Sequence, residues 1–113
     1  MSLWQNNLTI YNPGKAYGPR THTLGCIVHA TRGNQAVGDE YTATVNWFLN
    51  PAGPASHLVI GYYGQTAQFG PLDAKMPHAL EPANSDFLGV ELEGPYLGFT
   101  YSLEQYKALA SFL

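Results

Sequence analysis

Phe87-Leu88-Gly89-Val90-Glu91-Leu92-Glu93-Gly94 is the stretch of this chain that says most about its fold. Successive side chains of a strand point to opposite faces. Leu88, Val90 and Leu92 therefore form one apolar face, and Gly89, Glu91 and Glu93 share the other. The surrounding run reads as buried, and burying a carboxylate costs several kcal/mol unless a charge, a metal or hydrogen bonds offset it. Perturbed groups of that kind gather where chemistry needs them. The bland reading of the polar face is a solvated sheet surface. The sharper one places Glu91 beside a metal or substrate, with Gly89 letting something approach closely.

Working outward, Thr23–Ala30 (TLGCIVHA) reads as a strand buried on both faces. A turn-rich loop, TRGNQAVG at 31–38, leads to a helix over about 39–50. Asp39 is its expected cap, Tyr41, Val45, Phe48 and Leu49 its apolar stripe, and Pro51 and Gly53 its stop. Residues 56–62 and 65–69 read as a hairpin turned at Gly64. The stretch 70–85, with three Pro, one Gly and one Asn, is a long loop of the kind that often carries function. Ser102 and Gln105 form a capping box for a last helix with Leu103, Tyr106, Ala110 and Leu113 on one side. Residues 1–22 are an irregular lead-in with a short strand at Leu8–Ile10, and 23–113 form the domain proper. Strands alternating with helices, plus one hairpin, predict an α/β domain with a mixed central sheet flanked by helices.

Composition narrows the partners. The chain has 113 residues, 45% of them apolar or aromatic, enough for one domain with a core. Net charge is −3 with five Lys and Arg, so no basic surface for nucleic acid is expected. No stretch approaches the roughly 18–20 apolar residues of a membrane span. The start MSLWQNNLTI lacks the basic and apolar regions of a signal peptide, which points to a cytoplasmic protein or a phage product released on lysis. Cys26, the single cysteine, reads as a buried structural thiol.

Four histidines are present. His29 ends a buried strand, where open α/β sheets deliver side chains to ligands. His22 lies seven positions earlier and would face the other way. His57 begins a strand and reads as structural. His78 sits in the long loop, where it could touch a substrate. His and a carboxylate are the ligand and base types of a metal-assisted hydrolase, but no chelating motif such as HExxH occurs. Ser56-His57 and Cys26/His29 have the wrong strand parity for a nucleophile and its base.

The order IVHATRG (27–33), ATVNWFLNP (43–51), ASHLVI (55–60), DAKMPHAL (73–80), NSDFLGVELEG (84–94) and YSLEQYKALASFL (101–113) resembles the type 2 N-acetylmuramoyl-L-alanine amidases. That family also includes a phage lysozyme of endolysin type and the peptidoglycan recognition proteins. The resemblance implies a peptidoglycan cleft with zinc at its floor and hydrolysis of the amide between the lactyl group of N-acetylmuramic acid and L-alanine. It implies that His29 is the first zinc ligand and that Glu91 is the carboxylate acting on the water. It also implies that His78, Asn84 and Trp47 meet the muropeptide, with Pro77 standing where the family usually has Trp. Two further family ligands, a His and an Asp or Cys, follow the helix that here reaches Leu113, so two of the three zinc ligands are absent and the domain is expected to be incomplete at its C-terminus. A non-catalytic muropeptide-binding module is the alternative, and an exposed C-terminal edge could drive self-association.

Overall fold

The computed structural model describes residues 7–32, 37–95 and 100–113. Residues 1–6 of the lead-in and 33–36 of the 31–38 loop lie outside the described residues. Five strands form one mixed sheet: β1 (Leu8–Ile10), β2 (Gly25–Ala30), β3 (Leu58–Ile60), β4 (Thr66–Gln68) and β5 (Phe87–Leu92), in the order β1-β4-β3-β5-β2. Only β3 and β4 pair antiparallel; the other three ladders are parallel. The helices are α1 (Asp39–Leu49), α2 (Ala83–Asp86) and α3 (Leu103–Ala110).

Strand parity builds the layers. Val59, Ala67 and Phe69 turn to one face and pack with Val45 and Phe48 of α1 and with Met76. Leu58, Ile60, Leu88, Val90 and Leu92 turn to the other, where Ala108 of α3 covers them. Each large apolar side chain so buried contributes about 1.5–3 kcal/mol. α1 is the crossover that returns the chain from β2 to β3, and β5 inserts between those two strands. The β3–β4 hairpin closes through Gly61 N–H to the Gln65 carbonyl at 2.8 Å, with Gly64 at φ 87°, a backbone region that glycine enters without strain.

Several expectations need correction. β2 is an edge strand rather than one buried on both faces, and its Val28 is 46% exposed. A continuous apolar run carries no parity signal, so the edge could not be read from it. The cap of α1 is Gly38, which makes no side-chain bond, and Asp39 is already helical. The long loop contains α2, a single turn whose Asn and Ser are weak helix formers. Cys26 is half-buried against the α3-side core. The capping box at Ser102 and Gln105 forms as read, with the Ser102 side chain accepting from the Gln105 N–H at 3.0 Å.

The lead-in is tied to the rest. β1 lengthens the sheet beside β4, and Tyr11 stacks on Phe69 with ring centres 5.4 Å apart. Lys15 Nζ donates to the carbonyls of Asn50, Gly53 and Pro54, satisfying groups at the end of α1. Arg20 donates to the carbonyls of Leu72 and Ala74 and to the Thr23 hydroxyl. No helix among the described residues is long and apolar enough to cross a membrane.

Candidate active site

The α1 face of the sheet carries the polar residues of the opening stretch. In the β2–β5 ladder His29 is in register with Glu91 and Ile27 with Gly89, so His29 and Glu91 are same-face neighbours on adjacent strands. A cleft of about 240 Å³ opens beside Glu91, with His78 rather than His29 in its lining. Glu91 and His78 form its floor, Thr44, Trp47 and Phe48 of α1 one wall, and Thr31, Pro54 and Ser56 the rest.

Gly89 explains how His78 reaches the floor. A Cβ at position 89 would lie 2.4 Å from the His78 ring, so the ring occupies the space that glycine leaves on β5. Asn84 fixes the loop from behind: its side-chain oxygen accepts from the N–H groups of His78 and Ala79 at 3.1 and 2.8 Å. Asn84, which the resemblance gives as a substrate-binding residue, is buried and holds the backbone of His78 and Ala79. Ala in place of Gly89 is therefore expected to displace the His78 ring and to destabilise the fold by about 1–3 kcal/mol, the range for overpacking. Ala otherwise suits a strand better than Gly. Urea unfolding and the His78 ring signals in NMR check this, and an unmoved ring with unchanged stability would refute the packing argument.

Hydrogen bonds link the histidine row. Gly89 N–H donates to Nδ1 of the buried His57 at 3.0 Å, and His57 Nε2 lies 2.6 Å from the Ala74 carbonyl and 2.8 Å from the Arg20 guanidinium. The Arg20 guanidinium adds to burial in holding His57 down, to about 4, and the ring is neutral and structural. His78 Nε2–H donates to the Phe87 carbonyl at 3.2 Å. Its Nδ1 then accepts from His29 Nε2–H, also at 3.2 Å. Burial lowers both of these histidines from the ordinary imidazole value. His22 is elsewhere, 2.8 Å from Asp86 on the surface.

The two carboxylates of the stretch part company. Glu91 makes no hydrogen bond to any described residue, and burial pushes its pKa up to about 7. Glu93 is not on a solvated face: it is fully buried and accepts from Gly38 N–H at 2.6 Å and Tyr62 N–H at 2.7 Å. Thr31 is a further residue that the sequence reading passed over, although it shares the parity of His29. Its hydroxyl accepts from Gly94 N–H at 2.7 Å and donates to the buried Glu40 carboxylate. Trp47 stands at the rim, 49% exposed, whereas Tyr41 packs into the core with Tyr11.

A half-buried carboxyl titrating near neutrality, beside two neutral imidazoles in an open cleft, can move a proton to or from a bound polar substrate. The family model described as N-acetylmuramoyl-L-alanine amidase matches residues 19–113. The chain belongs to that amidase family. Several solved structures share its fold. Among them are the N-acetylmuramoyl-L-alanine amidase LysC from Clostridium intestinale (20% identity, TM-score 0.63, 93% of this chain and 70% of that one), AmpD (18%, 0.65, 94% and 71%) and the Drosophila peptidoglycan recognition protein SA (13%, 0.60, 92% and 69%). None of the curated proteins matches the chain.

Catalytic zinc sites use three protein ligands and keep one position open. Among the described residues no group of three or more His, Cys, Asp and Glu is arranged to hold an ion. The described residues therefore do not make up a three-ligand zinc site by themselves.

Proposed function

We propose that the cleft takes the stem peptide of a muropeptide beside its lactyl group, and that Glu91 handles the proton when the lactyl–L-alanine amide is hydrolysed. The observation that carries this reading is the Glu91 carboxyl: on the cleft floor, without a hydrogen bond to a described residue, and pushed up to about 7. Such a group takes and returns a proton near neutral pH with little driving force lost in either direction. Phe48 and Pro54 offer apolar contact, the Thr44 hydroxyl offers polar contact to a peptide backbone, and the exposed face of Trp47 suits the C–H face of a sugar ring. Family membership supports the reaction, and neighbours named as peptidoglycan recognition proteins support the substrate class.

Zinc dependence belongs to the same proposal. When bound, zinc supplies a Lewis acid that polarises the scissile carbonyl. His29 is the residue of this chain that would hold it in the family's manner. Neighbours named as peptidoglycan recognition proteins favour one second reading, a module that holds the muropeptide without cutting it.

Incubating the chain with N-acetylmuramoyl-L-alanyl-D-isoglutamine, with added zinc and with a chelator, separates the two readings. Mass spectrometry should find the free dipeptide with zinc and only intact substrate with chelator. Saturable binding without cleavage under both conditions would move the assignment to the binding module. Neither binding nor cleavage would remove both.

A further inference from the structure

We infer that Arg32 reads a substrate carboxylate at the edge of the cleft, the α-carboxylate of the second stem-peptide residue. The assignment rests on the cleft holding a muropeptide. Arg32 follows Thr31, which lines the cleft, and is itself exposed. At φ 54° it is the one described residue other than glycine in the left-handed region, where a Cβ costs free energy. Such strain persists only where neighbours enforce it, and it gathers at ligand sites. Three bonds enforce it here. Thr31 N–H donates to the Leu92 carbonyl at 3.2 Å, Arg32 N–H to the Gly94 carbonyl at 3.0 Å, and Gly94 N–H to the Thr31 hydroxyl at 2.7 Å. The chain leaves strand geometry directly after Thr31, so strand parity no longer governs where Arg32 reaches.

The charge of Arg32 is unengaged among the described residues. Lys15 and Arg20 give their donors to backbone carbonyls, whereas the Arg32 guanidinium makes no ion pair or hydrogen bond with a described residue. It does bear on the cleft. Burial raises the Tyr101 phenol, Arg32 draws it down and Glu91 pushes it up, so the guanidinium and the Glu91 carboxyl act on one hydroxyl. The spacing suits a short peptide. Arg32 lies three residues beyond His29, the register partner of Glu91, which is about 10 Å along the strand direction. With the scissile amide at Glu91, an extended peptide carries its second residue about 7 Å along the same line. The long Arg side chain covers the difference. A guanidinium takes a carboxylate through two parallel N–H···O bonds, which an amide, with one oxygen and donors of its own, does not match.

The test is calorimetric binding of N-acetylmuramoyl-L-alanyl-D-glutamate and N-acetylmuramoyl-L-alanyl-D-isoglutamine, with chelator present to prevent cleavage. The two differ only in an α-carboxylate against an α-amide. The free acid should bind the wild type about three- to fivefold more tightly at low ionic strength, the upper part of the range for an exposed charge pair. Arg32→Gly suits the left-handed backbone and should bind both dipeptides alike. Equal affinity of the wild type for the two, or a preference that survives in Arg32→Gly, overturns the role of Arg32 and leaves the cleft reading standing. Binding of neither dipeptide overturns both. Should the variant fail to fold, the wild-type comparison decides alone.

Discussion

Glu91→Gln is expected to lower muropeptide hydrolysis by roughly 10²–10⁴-fold, the usual worth of a positioned acid–base group, while substrate affinity stays within about twofold. Gln keeps the size and polarity of the side chain but cannot accept a proton. The wild-type rate should climb as pH rises through about 7, where the Glu91 carboxyl ionises, and the residual rate of the variant should lack that step. Stability moves the opposite way. Burial raises this carboxyl from its ordinary 4.5 to about 7, so the folded state holds the proton more tightly than the unfolded chain. Ionisation therefore opposes folding progressively between those values, and the cost is full above about 7. The variant, which has no charge to bury, should melt higher than wild type at pH 8, with the gap closing at pH 5. Unchanged turnover in the variant would end the role given to Glu91.

Glu93→Ala should be the most damaging single change to the fold. The buried Glu93 carboxylate holds Gly38 N–H just before α1 and Tyr62 N–H in the β3–β4 turn. Its own backbone N–H bonds to Ile60 O at 3.0 Å, and its carbonyl accepts from the fully buried Gln105 of α3 at 2.8 Å. One residue thereby joins both helical layers and the hairpin to the end of β5. Hydrogen bonds to a charged group contribute about 1.5–3 kcal/mol each, and the two part-buried donors left behind lose their acceptor. A loss of about 3–5 kcal/mol follows, against a total near 5–15 kcal/mol for a domain. Urea unfolding measures it; a loss below about 1 kcal/mol would show that other groups or water satisfy those donors. Two carboxylates two positions apart thus give opposite results, one variant losing chemistry and the other losing the fold.

Much of this was legible in the chain itself. Strand parity put Glu91 and Glu93 on one face and the apolar residues on the other, and both helices, the hairpin and the capping box follow from local pattern. The family could be recognised because its motifs occur in order, and the match over residues 19–113 agrees with that reading. What parity could not supply was the identity of the groups arriving from far along the chain. Glu93 looked solvated because its partners, Gly38 and Tyr62, lie on other segments. The glycine at 89 signalled a close approach without saying that His78 makes it. Asn84 was matched to a substrate role through the family, and its burial and two bonds to the His78–Ala79 backbone were likewise invisible in the sequence.

The strand order β1-β4-β3-β5-β2 also dictates when each ladder can form. Only the β3–β4 hairpin joins neighbours in the chain; Leu8 must find Thr66, and Gly25 must find Phe87. Loop closure has to be met before such distant pairings return any stabilisation, so the hairpin is the natural nucleus and the two edges zip on last, in milliseconds to seconds rather than microseconds. The ladder that brings His29 beside Glu91 is one of those late edges. The reactive floor is thus expected to be completed after the hairpin, and a pulse-labelled exchange experiment should find the amides of β3 and β4 protected before those of β2.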